Sequence, residues 1–222
     1  MIRAILFDMD GVVVDSEHLY QEAGTRLFAE YGVTLMEDDW IRLRGQAEHR
    51  FYELVRERYP LDAPTKDLQV KGRSYLLDVF ADRLDYNQGF LSLIRRIVGR
   101  YRTGLVTSTS GEVFRWMDMK LDLRSHFDEV VYGGMTINGK PHPEPYLMIM
   151  DHLGIEPAEA VIIEDSAVGL QSALASGACT VALTGPTPTP GLPEVYASVR
   201  SLNDLTPSFL KRLDGFTGHR EN

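Results

Sequence analysis

The apolar positions of this 222-residue chain change their spacing twice. At the start, Ile5-Leu6-Phe7 is a continuous apolar run that stops at Asp8-Met9-Asp10-Gly11. A short apolar run closed by acids and a glycine predicts a buried strand feeding a turn, where a ligand can approach the backbone closely. Ser16 then stands where a helix running to about residue 31 needs its N-cap. From there to about Arg83 the apolar residues recur at helical spacing: Leu19, Ala23, Leu27 and Phe28, then Trp40 to Leu43, then Phe51, Leu54 and Val55, then Leu68 to Phe80. No strand-like run interrupts them. Beyond this block helix and strand patterns alternate. Helices are predicted over 88–98, 112–121, 145–153 and 167–176, the last closed by Gly177, and strands over 102–107, 127–132, 160–163 and 180–183.

Repeated strand–helix units predict an α/β fold, a Rossmann-like parallel sheet core with helices on both faces. The helical stretch 15–83 is then an inserted all-helical domain, and 1–14 with 84–222 form the core domain. In such sheets the site lies beyond the carboxyl ends of the strands. The proline-rich run 185–191 reads as a loop after the last strong strand, and the polar residues from about 214 onward read as a loose tail.

Charge narrows the partners. Lys and Arg number 23 against 32 Asp and Glu, a formal net charge of −9, with no basic run or basic helix face. That balance argues against nucleic acid and anionic membrane as partners. No apolar run approaches a membrane span, and Met1 leads straight into the first strand without the regions of a secretion signal, so a cytoplasmic location is expected. A monomer is expected rather than an obligate oligomer. Cys179 is the only cysteine, which excludes an internal disulfide and a cysteine-based metal cluster; its apolar neighbours predict a buried side chain. The six histidines lack metal-ligand spacing.

Candidate chemistry collects at the predicted strand ends. The first supplies Asp8 and Asp10, the second Thr107-Ser108-Thr109-Ser110, and the fourth Glu164-Asp165, while Lys140 follows the third. Clustered carboxylates with few cations repel one another unless a divalent ion neutralises them, and an all-oxygen set suits Mg2+. A hydroxyl and a lysine opposite them suit a phosphate, whose oxygens need donors as charge develops in transfer. Neither Gly-x-x-x-x-Gly-Lys-Ser/Thr nor Gly-x-Gly-x-x-Gly occurs, which disfavours the nucleotide folds built on those loops.

Four stretches, Asp8-Met9-Asp10-Gly11-Val12, Ser108 after an apolar strand, Lys140-Pro141-x-Pro143-Glu144 and Val161-Ile162-Ile163-Glu164-Asp165-Ser166-x-x-Gly169, resemble the four motifs of the haloacid dehalogenase-like superfamily. The match runs over nearly the whole chain. The helical insert resembles the cap of that superfamily's phosphoglycolate phosphatase and β-phosphoglucomutase branch. The resemblance implies that Asp8 is a nucleophile forming an aspartyl-phosphate. It implies that Asp10 protonates the leaving oxygen and later deprotonates the group that resolves the intermediate. Ser108 and Lys140, with Thr109 beside them and the backbone N–H groups at Met9 and Asp10, would hold the phosphoryl oxygens; Asp8, the Asp10 carbonyl, Glu164 and Asp165 would hold Mg2+.

Substrate choice would come from the cap, where Arg44, in Arg44-Gly45-Gln46, and Lys71 are the candidate contacts to the distal part of the substrate. Tyr20 stands where the mutases of this branch carry a histidine, and Glu48 where they carry an arginine. Loss of that second cationic phosphate grip favours hydrolysis. Dehalogenases and phosphonate-cleaving relatives do without the second aspartate, so Asp10 disfavours both. The expectation is a Mg2+-dependent phosphatase acting on a small phosphorylated metabolite, a sugar phosphate or similar phosphomonoester. The alternatives are a phosphomutase of the β-phosphoglucomutase type and a non-catalytic phosphometabolite-binding protein.

Overall fold

A computed structural model of the chain describes residues 1–185 and 195–215. Most of the proline-rich run and the tail beyond residue 215 lie outside the described residues. The core opens with β1 (Ala4–Asp8) and closes, after the insert, with the series α5 (Phe90–Ile97), β2 (Arg102–Ser110), α6 (Gly111–Leu121), β3 (Glu129–Gly133), α7 (Glu144–Leu153), β4 (Ala160–Glu164), α8 (Ala167–Ala175), β5 (Cys179–Leu183), β6 (Ala197–Val199) and α9 (Pro207–Leu213). Between β1 and α5 lie α1 (Glu17–Ala29), α2 (Glu37–Leu43), α3 (Glu48–Arg58) and α4 (Thr65–Phe80), with no named strand among them.

All six strands are parallel, in the order β3-β2-β1-β4-β5-β6. After β3 the chain returns to the other side of β1 to form β4. That reversal places a crevice at the carboxyl ends of β1 and β4, where open α/β sheets bind ligands. Side-chain alternation in these central strands is strict: Ile5, Phe7, Val161 and Ile163 enter one core with residues of α5 and α6, whereas Ala4, Leu6, Ala160 and Ile162 face α7. A third cluster, including Leu27, Phe28, Leu43, Tyr52, Val55 and Leu68, is internal to α1–α4. The insert therefore has an apolar centre of its own, while Leu19, Leu76 and Phe80 at its base join the core of the sheet. Cys179 is fully buried in β5. Among the described residues no helix is long and apolar enough to cross a membrane.

Three local expectations need correction. The second strand continues through Ser110 rather than ending near Thr107, because its irregular polar end still pairs with Gly133 of β3. β6 and α9 were missed: β6 is three residues long with one buried side chain, too short to register as a period. Ser16 occupies the N-cap position of α1 but makes no side-chain cap; its hydroxyl is spent on Asp10 instead.

Candidate active site

Gly11, with φ +80°, turns the chain sharply after Asp10, and a Cβ there would overlap the Asp165 carboxylate. The turn brings the ends of β1 and β4 into one buried cluster. One carboxylate oxygen from each of Asp8, Glu164 and Asp165 lies within 4.8 Å of the others. Lys140 reaches this cluster from the loop after β3: its Nζ donates to Asp8 Oδ1, to Glu164 Oε1 at 2.6 Å and to the Val106 carbonyl at 3.4 Å.

Glu164 is the most fully satisfied of the acids. Besides Lys140 it accepts the Tyr146 hydroxyl at 3.1 Å, the Asp165 and Ser166 backbone N–H groups at 2.9 and 3.1 Å, and the Ser166 hydroxyl at 3.1 Å. Those N–H groups immediately precede α8, whose N-terminal dipole favours a negative charge. A Cβ on Gly169 would overlap the Glu164 carboxylate, which explains the glycine in the fourth motif. Burial works against the charge of Glu164, but Lys140 and these donors prevail and hold its carboxyl below the usual range. Asp8 behaves oppositely. Burial, reinforced by Glu164, raises its carboxyl well above the usual range despite Lys140. The Lys140 ammonium is disfavoured by burial, yet Asp8 and Glu164 together raise its pKa well above that of a free lysine.

Asp165 is the acid whose surroundings fit a cation. Burial raises its carboxyl well above the usual range, offset in part by Arg44, whose Nη2 donates to Oδ2 at 2.5 Å. The other oxygen, Oδ1, is buried with no hydrogen-bond partner among the described residues. An orphaned carboxylate oxygen in an all-oxygen acidic cluster fits a hard divalent cation such as Mg2+.

Asp10 points elsewhere. Its Oδ1 accepts the Ser16 hydroxyl at 2.7 Å, and its Oδ2 accepts Thr107 at 3.1 Å and Thr109 at 2.8 Å. With the Thr109 proton committed to Asp10, the Tyr20 hydroxyl, 3.0 Å away, donates to Thr109. Burial raises the Asp10 carboxyl, and the three hydroxyls pull it part of the way back. The structure thus separates one acid with a lysine from a second acid with hydroxyls, an arrangement that suits a nucleophile and a proton donor.

A cavity of about 160 Å3 opens beside Asp8 and Asp10 and runs between the sheet and the insert. Ser108 lines it and donates to the Gly45 carbonyl at 3.0 Å, so the loop between α2 and α3 reaches the strand ends. Of the residues anticipated from sequence, Asp8, Asp10, Ser108, Thr109, Lys140, Glu164, Asp165 and Arg44 come together here. Thr109 is turned onto Asp10 rather than left free as an independent phosphate donor. Met9 enters only through its backbone, since its side chain is fully buried.

Lys71 does not join them: it is an exposed side chain paired with Glu30 on the outside of the insert. Arg73 lines the cavity instead, with Nε 2.7 Å and Nη2 2.5 Å from the Glu48 carboxylate and Nη1 2.6 Å from Glu112 on α6. Lys71 and Arg73 flank Gly72 roughly 200° apart on the helix, so only the rotation of α4 decides which faces inward. Also unanticipated were Tyr146, whose ring lies 5.0 Å from Lys140 Nζ, and Glu17, which pairs with Arg44 at 3.4 Å and whose carboxyl burial pushes up to about 7. Tyr146 follows the third motif closely enough to have been flagged as a second support for Lys140.

Comparison with known proteins agrees with this geometry. Residues 5–183 match the family model described as haloacid dehalogenase-like hydrolase. The chain is 30% identical over 204 residues to a phosphorylated carbohydrates phosphatase of Thermotoga maritima, covering 91% of this chain and 88% of that protein. It is 24% identical over 173 residues to a fructose-1-phosphate phosphatase of Escherichia coli, covering 78% and 92%. A β-phosphoglucomutase structure from Clostridium difficile shares the fold, with a TM-score of 0.83 and 21% identity over 96% of this chain and 97% of that one. With the family model spanning most of the chain and the four motifs converging at the carboxyl ends of the central strands, the chain belongs to the haloacid dehalogenase-like hydrolases.

Proposed function

We propose that the protein is a Mg2+-dependent phosphatase that hydrolyses small phosphomonoesters through an aspartyl-phosphate on Asp8. The observation that supports this most directly is the pairing of a lysine-bound Asp8 in an acidic cluster with Asp10 held separately by three hydroxyls. The named phosphatases among its relatives point the same way. Asp8, the Asp10 carbonyl, Glu164 and Asp165 would hold Mg2+, which when bound neutralises the acids and polarises the phosphoryl group.

In the first half-reaction an Asp8 carboxylate oxygen bonds to phosphorus while the ester P–O bond breaks, and Asp10 gives its proton to the departing alcohol oxygen. In the second, Asp10 takes a proton from a water that attacks the same phosphorus, releasing inorganic phosphate and restoring Asp8. Lys140 and Ser108 hold the phosphoryl oxygens, and Lys140 keeps Asp8 oriented. Residues 15–83 act as a cap: the loop at Gly45 covers the strand ends and limits water to the one that resolves the intermediate.

Phosphorus NMR with Mg2+ and a pool of phosphorylated sugars tests the reading, with EDTA as control. Growth of inorganic phosphate that EDTA abolishes is the expected result. Interconversion of two esters without free phosphate would replace hydrolysis with mutase chemistry.

A further inference from the structure

The cavity continues away from the carboxylates into the insert, and the proposed chemistry does not account for its far end. There the wall includes Gly24 and Leu27 of α1, Trp40 of α2, Tyr52 of α3, and Gly72 and Leu76 of α4. Two of these are glycines in helix interiors, where glycine is less stable than alanine. A Cβ on Gly24 would lie 2.6 Å from the edge of the Trp40 ring, and one on Gly72 would overlap the Tyr52 hydroxyl. The absent side chains keep both rings in the wall of an open slot. Tyr52 is only 5% exposed, yet its hydroxyl is not sealed off and makes no hydrogen bond to any described residue, so it is free to bond a ligand in the cavity.

Charge in the same wall is already neutralised. Arg44 is bound to Asp165 and Glu17, and Arg73 to Glu48 and Glu112, so no unpaired cation lines the cavity among the described residues. A second anionic group on a ligand would be desolvated there without a partner.

Resting on the phosphatase reading, we propose that this slot holds the leaving group, and that the substrate is the monophosphate ester of an uncharged ring alcohol. The apolar face of the ring lies against Trp40, and a ring hydroxyl bonds Tyr52. Trp40, Tyr52 and Gly72 are then the specificity-determining residues of the insert, and phosphorylated acids and bisphosphates are rejected.

The experiment compares kcat/KM for myo-inositol 1-phosphate, phenyl phosphate, 2-phosphoglycolate and fructose 1,6-bisphosphate. The unaltered protein is expected to favour the inositol ester over the last two by at least about tenfold. Tyr52→Phe should cost the inositol ester about fivefold, the worth of one hydrogen bond, and phenyl phosphate much less. Gly72→Ala should lower the inositol and phenyl esters about tenfold more than 2-phosphoglycolate. Equal kcat/KM for the inositol ester and for 2-phosphoglycolate or the bisphosphate, or equal losses across all four in Gly72→Ala, would overturn the slot.

A binding measurement separates this inference from the chemistry beneath it. Trp40 and Trp116 are the only tryptophans, so fluorescence of the Asp8→Asn, Trp116→Phe protein reports Trp40 alone. Saturable quenching by phenyl phosphate, weakened by Gly72→Ala, is expected. If the unaltered protein hydrolyses no ester but this quenching persists, the phosphatase reading falls and the slot stands; absence of quenching in the Asp8→Asn, Trp116→Phe protein with Gly72 intact overturns the slot itself.

Discussion

At the scale of single residues, the two aspartates at the end of β1 differ because their neighbours differ. Asp8 shares Lys140 with Glu164, whereas Asp10 collects hydroxyl donors from Ser16, Thr107 and Thr109. Asp8→Asn keeps the shape and removes the nucleophile, so a folded protein with hydrolysis reduced at least about a thousandfold is expected, read by circular dichroism and phosphate release. Asp10→Ala should lower kcat by about 10²–10⁴, the usual share of a general acid–base group. Ser16 offers a finer test. Its hydrogen bond lowers the Asp10 pKa against the upward pull of burial, so Ser16→Ala should raise that pKa further. Because Asp10 must be protonated to act on the leaving oxygen, the fall of kcat at high pH should move to higher pH. A Ser16 that merely capped α1 would change stability by about 1 kcal/mol and leave the pH profile where it was.

At the scale of elements, α8 and the insert show how packing serves the site. The two residues leading into α8, Asp165 and Ser166, give Glu164 their N–H groups, and Gly169 in its first turn leaves the space that the carboxylate occupies. Gly169→Ala should therefore destabilise the protein by about 3 kcal/mol through overpacking against a buried charge, measurable by urea denaturation. The apolar periodicity announced the helices of the insert because each buries a stripe, and it announced β1 and β4 because both faces of these strands are covered. β6 gave no such signal: one buried residue in three makes no pattern. Nor did periodicity distinguish Lys71 from Arg73. Both flank Gly72, and their partners, Glu30 just after α1 and Glu48 on α3, lie far away in sequence.

At the scale of the whole molecule, the acidic cluster couples metal binding to stability. Burial raises the carboxyls of Asp8, Asp10 and Asp165 above their unfolded values. A raised folded-state pKa gives stability that is present below the ordinary carboxylate range and is lost as pH rises through the raised value. Glu164, with its lowered pKa, contributes in the opposite direction. In EDTA the three aspartates should therefore cost stability as pH climbs toward neutrality. Mg2+ at a hundredfold excess over its Kd should restore about 2.7 kcal/mol, a rise in Tm of about 5–10 °C for a chain of this size. Calorimetry should show that rise shrinking toward acid pH, as protons compete with the metal for the same oxygens. Insert and core are tied across the cavity by Arg44 to Asp165, Arg73 to Glu112 and Ser108 to Gly45. Motion of the proposed cap must break these contacts.

The sequence by itself determined the α/β core, the helical insert, and the identity of the acids, lysine and serine at the strand ends. These are local properties: hydrophobic period is read within a dozen residues, and Asp8 with Asp10, or Glu164 with Asp165, are neighbours by covalent connection. Tertiary structure decided which hydroxyls hold Asp10, that Arg73 rather than Lys71 walls the cavity, and that Gly24, Trp40, Tyr52 and Gly72 meet around one slot. Each of those outcomes depends on how a helix or strand end is rotated against a segment remote in the chain. Packing of the whole sets that angle, and no short stretch of sequence encodes it.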